Sequence, residues 1–272
     1  MLKRTLTGAG LVAVVVGFFL LRNISPVYFQ ILVFILAALG TIEMLNAFKE
    51  KTTLYQKIIV GTFAVVFIET FAISGSYAIC VGEFIFFSLA LLSSLVFEYE
   101  KATLEGIGFS FLSMIYPTVL LLPMLAVNTM ENNSTIFLML IFIISPCSDT
   151  FAYLVGSLIG GKKMCPKISP KKTISGGIGG IVGGVTGSIV VYFIMKGSLN
   201  YSLSVPAVVY FAAIGLIASL LTEFGDLVES VIKRKLGIKD MGKILPGHGG
   251  MLDRIDSIVF ACPFICLAGL IL

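Results

Sequence analysis

The chain has 272 residues, 57% of them hydrophobic and only 12% charged, with a formal net charge of +4. A soluble domain carries roughly 25% charged residues, and the mean hydropathy here is +1.04. Composition therefore excludes an ordinary water-soluble fold and points to an integral membrane protein, with no reason to invoke nucleic acid as a partner.

Apolar runs close to the roughly 20 residues that cross a bilayer recur along the whole chain. They predict spans at Leu6–Leu21, Val27–Phe48, Ile58–Gly75, Ala78–Phe97, Ile107–Val127, Ile136–Ile159, Ile174–Met195, Pro206–Ile232 and Ile255–Leu272. The expected fold class is all-α, a polytopic membrane protein of about nine transmembrane helices. With the N-terminus in the cytoplasm, the inner segments collect Lys3 and Arg4, then Lys49, Lys51 and Lys57, then Lys101, the Lys162–Lys172 group and the Lys233–Lys243 group. Arg22 and Lys196 stay outside, and Arg254 opens the last span. That asymmetry follows the positive-inside rule. It sets the basic loops on the cytoplasmic face, and a bacterial inner membrane suits so compact a design. The first run reads as a retained anchor, because no small-residue cleavage site follows near Arg22. The five cysteines form no CxxC pair, so neither disulfides nor a zinc site is expected.

The two halves differ. Residues 1–134 read as a hydrophobic scaffold, in which Glu43, Glu69 and Glu83 are the polar exceptions. Each is taken as lying near a span end or bonded to a neighbouring helix, in preference to a direct functional role. Residues 135–272 hold the unusual chemistry and read as the catalytic region. Asp149 lies inside an apolar run among Ser145, Ser148 and Thr150, and an intramembrane carboxylate is a functional-site candidate by default. Its bland alternative is a structural hydrogen bond to a neighbouring helix. Ser169-Pro170-Lys171-Lys172-Thr173 is a basic loop running into a glycine-rich span. It suits phosphate binding, or else simple anchoring by positive charge. The glycines from Gly176 to Gly187 read as close helix packing, except for Gly176 and Gly177 at the mouth.

Residues 230–257 are the densest stretch. They carry six cations, three carboxylates, the only histidine and five glycines between two apolar segments. Lys and Arg neutralise phosphate oxygens, glycine lets backbone approach, and Asp holds a hard cation. The mixture suits a polyphosphate with its divalent metal. Glu223, Asp226 and Glu229 are spaced three apart, as are Asp253 and Asp256, so each set shares a helix face. Asp226, Asp253 and Asp256 are the candidate metal ligands. The alternative pairs Asp253 with Lys233 or Arg234, and Asp256 with Arg254 or water. Gly247-His248-Gly249-Gly250 reads as a turn, in which His248 is a phosphate donor, a general acid or a turn residue.

These residues closely resemble the phosphatidate cytidylyltransferase (CDP-diacylglycerol synthase) family. The shared motifs are Ser230, Lys233-Arg234, Lys239-Asp240, Pro246-Gly247-His248-Gly249-Gly250 and Asp253-Arg254-Ile255-Asp256. Upstream, Asp149-Thr150 with Ala152-Tyr153 and Gly156, the Ser169–Thr173 run and Gly225-Asp226-Leu227 agree as well. The likeness covers the C-terminal half, and Ser175 stands where the family usually has Glu. The resemblance implies transfer of CMP from CTP to phosphatidic acid, with release of pyrophosphate. The cofactor implied is Mg2+, alone or with a second cation. Asp226, Asp253, Lys233, Arg234 and His248 are the implied catalytic group. Asp149, Ser169, Lys171, Lys172, Thr173, Ser230, Lys239, Asp240, Gly249, Gly250 and Arg254 would bind substrate. The alternatives are a CTP-dependent lipid kinase, a cytidylyltransferase for another lipid, and a cation-coupled transporter. Small-residue helix faces are compatible with a homodimer.

Overall fold

The computed structural model describes residues 2–272, with side chains from residue 6 onward. Lys3 and Arg4 of the charge count lie outside the described side chains. Nine long helices follow one another: α1 (Leu2–Arg22), α2 (Pro26–Ala47), α3 (Leu54–Ser74), α4 (Tyr77–Phe97), α5 (Leu104–Asn128), α6 (Ser134–Ile159), α7 (Ile174–Met195), α8 (Ala207–Leu236) and α9 (Leu252–Ile271). Among the described residues, α2 to α9 are the eight long and apolar enough to cross a membrane. The apolar part of α1, Leu6–Arg22, is shorter. All nine expected runs are helical. One expectation changes: the basic segment before α7, read as a loop, is an antiparallel hairpin of β1 (Lys163–Cys165) and β2 (Ser169–Thr173). Its turn closes with the Ile168 N–H on the Cys165 carbonyl at 3.1 Å.

Local chemistry explains where the helices begin and stop. Ser25 caps α2 and is followed by Pro26 at the first helical position, where a missing N–H costs nothing. Thr53 and Gln56 form a reciprocal capping box at the head of α3. Gly75 ends α3 with a left-handed φ of 61°, and Gly237 ends α8 at 67°. Lys233, Arg234 and Lys235 occupy the last turn of α8, where cations meet the negative end of the helix dipole.

The chain folds as two compact units: residues 1–125 with 240–254, and residues 126–239 with 255–272. In the first, Phe29, Phe63, Phe67 and Met44 are buried, and Phe48 stacks on Phe109 at 4.3 Å. Gln56 donates to Ser94 at 3.1 Å, tying α3 to α4. Helix α5 contains a π turn at Ile115–Val119, around Pro117. There it meets α2 closely: a Cβ on Gly40 would stand 2.9 Å from that of Pro117. Next to it, Thr41 and Thr118 share a hydrogen bond of 3.0 Å.

In the second unit, α7 lies between α6 and α8 at glycine spacing. A Cβ on Gly179 would come within 2.6 Å of the Val155 Cβ and 2.9 Å of the Phe151 carbonyl. On the other side, one on Gly215 would approach the Val185 Cα to 2.7 Å. Lipid is as apolar as a leucine side chain, so helices in a bilayer associate by such close packing and by hydrogen bonds. Ser188 supplies one, donating to the Phe211 carbonyl at 2.6 Å. Tyr210 supplies another, donating to the Ala268 carbonyl at 2.6 Å. The packing reading of these glycines therefore has a geometric basis.

Gly179→Val should lower the thermal midpoint of the detergent-solubilised protein, with a cost of about 1–3 kcal/mol or more from overpacking. Gly61→Val, whose added Cβ meets nothing within 4 Å, should leave it unchanged. Equal midpoints for both variants would reject the packing role.

Candidate functional site

A cavity of about 310 Å3 opens in the second unit, where α6, the hairpin, α7 and α8 meet. Helix α6 contributes Asp149, Ala152, Tyr153 and Gly156; β2 contributes Lys171, Lys172 and Thr173; α7 contributes Gly176 and Gly177; α8 contributes Glu223. The strand runs directly into the helix because Thr173 is both the last residue of β2 and the N-cap of α7. Its hydroxyl accepts the Gly176 N–H at 3.1 Å. That hydroxyl sits where a side chain on Gly156 would go, 2.9 Å from its ideal Cβ. Ser175, where the resemblance led one to expect Glu, donates to the Gly160 carbonyl and shares a 3.1 Å bond with Thr173. It thereby ties the end of α6 to the start of α7. The cavity thus holds the positive end of a helix dipole, two lysines and two carboxylates, and such a helix start favours anions.

Glu223 lies flat against α7. A Cβ on Gly180 would overlap its Oε1, and one on Gly177 would stand 3.1 Å from its Oε2. Oε1 of Glu223 and the hydroxyl of Ser148 are buried without a hydrogen-bond partner. Both border the space above Gly180.

The three acids of α8 have separate fates. Glu223 faces the cavity. Asp226 pairs with Lys172 through Oδ2 at 2.6 Å and accepts from Ser230 at 3.4 Å. Glu229, fully buried, pairs with Lys233 at 2.6 Å. Arg234 reaches the hairpin and donates through Nε to the Ile168 carbonyl at 3.3 Å. Asp256 is buried and accepts the Ser257 N–H at 2.7 Å. The Lys172–Asp226 pair is partly exposed, and such pairs add at most about 1 kcal/mol. Its effect is to fix where one cation and one carboxylate stand.

In the first unit, residues 242–250 form the glycine loop. Pro246-Gly247, with φ of 77° at the glycine, has the signature of a type II turn. The turn closes with the His248 N–H on the Leu245 carbonyl at 2.9 Å. Gly249 also has a left-handed φ, 83°, and any side chain there would meet Asp253. Arg254 donates through Nε to the His248 carbonyl at 3.0 Å, and Thr7 donates to the Pro246 carbonyl at 3.0 Å. Oδ2 of Asp253 accepts the N–H groups of Met241 at 2.9 Å and Gly250 at 2.7 Å.

Of the residues singled out from sequence, the second unit gathers Asp149, Lys171, Lys172 and Thr173 on one cavity, with Asp226 bonded to Lys172. Ser230, Lys233 and Arg234 follow along α8, and Ser169 begins β2. The first unit gathers His248, Gly249 and Gly250 on the loop and Asp253 and Arg254 in the first turn of α9. Lys239 and Asp240 are exposed at the two sides of the boundary between the units. Among the described residues, no group of three or more His, Cys, Asp or Glu side chains is arranged to hold a metal ion. Mg2+ takes only one or two protein carboxylates and completes its shell with phosphate and water. Asp226 Oδ2 is instead bonded to Lys172 and Asp253 Oδ2 to two backbone N–H groups.

Two further residues matter. Glu229 was visible only as the third member of an acidic series, and its burial against Lys233 was not. Glu43 on α2 is 2% exposed and accepts the N–H groups of Met251 at 2.9 Å and Leu252 at 2.7 Å. The signal available for Glu43 was a carboxylate near the end of an apolar run, and a bonded neighbour was the preferred reading of it.

The profile of the Cytidylyltransferase family matches residues 2–272. A phosphatidate cytidylyltransferase of Bacillus subtilis (strain 168) is 29% identical over 272 residues, 97% of this chain and 96% of its own length. That of Rickettsia prowazekii (strain Madrid E) is 35% identical over 223 residues, covering 80% of this chain and 93% of the relative. One from Staphylococcus haemolyticus (strain JCSC1435) is 31% identical over 178 residues, 65% of each.

Proposed function

The chain belongs to the cytidylyltransferase family, and on that premise we propose that it transfers CMP from CTP to phosphatidic acid, giving CDP-diacylglycerol and pyrophosphate. The observation that carries the reading is the match over essentially the whole chain, membrane helices included. The cavity chemistry supports it: two lysines and a helix N-terminus beside carboxylates suit a nucleotide's phosphates.

The reaction asks little of a general base. A phosphate monoester is largely ionised near neutral pH. One of its oxygens bonds to the α-phosphorus of CTP as the bond to the β-phosphate oxygen breaks, and pyrophosphate leaves with that electron pair. The difficulty is to bring two polyanions together, so positioning and charge stabilisation dominate. In our proposal Lys171, Lys172, Lys233 and Arg234 offset phosphate charge. Asp226 and Glu229 hold Lys172 and Lys233 in place. Asp149, Ser169, Thr173, Ser230, Lys239, Asp240, Gly249, Gly250 and Arg254 contact substrate, and His248 donates to a phosphate oxygen from its turn. Asp226, Asp253 and Asp256 are the carboxylates proposed for Mg2+, which when bound would neutralise phosphate oxygens and polarise the reacting phosphorus. Residues 135–272 carry this chemistry, and residues 1–134 act as scaffold. The lysine and arginine asymmetry favours a site facing the cytoplasm of a bacterial inner membrane, where CTP is available and the acyl chains can stay in the bilayer. A homodimer is part of the proposal only as an arrangement compatible with small-residue helix faces.

The direct test supplies purified protein with phosphatidic acid, Mg2+ and CTP labelled on the α-phosphate. Label should enter the lipid phase with release of pyrophosphate. Transfer of γ-label instead would mean a lipid kinase. Asp226→Asn and Asp253→Asn should each reduce transfer by about 100-fold or more without loss of folded protein, and near-normal turnover in either would remove that residue from the metal assignment. Lys172→Ala should raise the KM for CTP more than that for lipid; equal CTP saturation would reject its role. Excess EDTA should abolish transfer and Mg2+ restore it, whereas activity surviving full chelation would take the metal out of the mechanism.

A further inference from the structure

Glu43 is held in a way that a helix cap alone does not require. Helix α9 starts at Leu252, and its first amide donors need acceptors. A Ser, Thr or Asp at the cap would ordinarily supply one. Here the preceding residue is Met251, whose side chain has no oxygen to cap with, and the carboxylate comes from α2, 208 residues earlier in the chain. It accepts the N–H groups of both Met251 and Leu252. The side chain is wedged between the two ends of the glycine loop: a Cβ on Gly242, at its start, or on Gly250, at its end, would overlap the Glu43 carboxylate. Neither glycine has a left-handed φ, so backbone conformation does not call for glycine at either position. Space for the acid does. Helix α2 is itself fixed one turn away, where Gly40 and Thr41 meet Pro117 and Thr118 at the π turn of α5.

We propose that Glu43 is a positioning residue for nucleotide transfer: it clamps both ends of the Gly242–Gly250 loop and so sets the orientation of His248 and Asp253. The inference rests on the transferase reading for its kinetic consequence and on geometry alone for its structural one. Asp253 is bonded to the N–H groups of Met241, the neighbour of Gly242, and of Gly250 itself, and Glu43 is wedged against those two glycines. Release of the clamp therefore moves Asp253 with the loop. Glu43 touches no reacting atom in this scheme.

The test compares wild type with Glu43→Gln, Gly242→Ala, Glu43→Asp and the double variant Glu43→Asp/Gly242→Ala. Each is assayed for thermal midpoint, for amide hydrogen exchange at Met251 and Leu252, and for kcat and KM toward CTP and phosphatidic acid. A glutamine turns one acceptor into a donor facing an N–H. In that variant exchange at the two amides should quicken by about tenfold, and kcat/KM for CTP should fall by a similar factor. The midpoint and the KM for phosphatidic acid should stay near wild type. Gly242→Ala should reproduce the CTP defect by pressing a methyl group on the same carboxylate. The shorter acid should relieve it, so that the double variant works better than Gly242→Ala alone. Unchanged exchange and unchanged CTP kinetics in Glu43→Gln would overturn the proposal. So would a parallel loss toward both substrates with a lowered midpoint, which would make Glu43 a fold-stabilising residue only. If wild-type protein moved no label, the transferase reading would fail, and the exchange rates would still decide whether Glu43 holds the loop.

Discussion

A carboxylate inside a membrane helix is costly, because hydrocarbon offers it no partner. In both units the room for such an acid comes from glycine. Glu43 fits against Gly242 and Gly250, Glu223 against Gly177 and Gly180, and Asp253 against Gly249. In each case a methyl group on the glycine would occupy or crowd the space of the acid. Two further acids take cations: Asp226 has Lys172 and Glu229 has Lys233. A hydrogen bond to a charged group is worth about 1.5–3 kcal/mol, while removing one partner of a buried pair, as Glu229–Lys233 is, costs about 3–5 kcal/mol. The arrangement is therefore unforgiving, and the positions of the acids are sharply defined.

That sharpness is what phosphate chemistry needs. Two polyanionic substrates react when cations and hydrogen-bond donors are already aimed at the charge, so in the proposed reaction the acids would aim lysines and backbone as much as act on substrate. The continuity of β2 with α7 contributes to the same end. Thr173 finishes a strand and caps a helix with one hydroxyl, so Lys171 and Lys172 stand at a fixed distance from the first amides of α7. The exposed outer faces of the helices, such as Phe86, Leu89 and Val96 on α4, have no such precision and need none against lipid.

Much of this could be read from the chain. Span positions follow from apolar length, and starts and stops from Ser25-Pro26, Thr53 with Gln56, Gly75 and Gly237. The small-residue stripe of α7 announced close packing, and the basic and acidic motifs are what the proposal of phosphate and metal binding rests on. The hairpin escaped because Lys163–Cys165 and Ser169–Thr173 have no alternating pattern: the strands are short, only partly buried and lysine-rich. The role of Glu43 escaped for a different reason. Its partners are backbone amides of Met251 and Leu252, and backbone donors leave no mark in the identity of a residue. Glu229 looked like one more acid in a series, since sequence spacing cannot tell a cavity-facing carboxylate from one sealed against Lys233.

The distance along the chain between Glu43 and its partners also bears on biogenesis. Synthesis runs at about 5–20 residues per second, so the 208 residues that separate Glu43 from Met251 take roughly 10–40 s to appear. Through that interval α2 already carries the acid, while the amides that will bind it have yet to leave the ribosome. The first unit, which includes residues 240–254, cannot finish folding until nearly the whole polypeptide has been made. Until then Glu43 lacks the two amide partners that hold it in the finished fold.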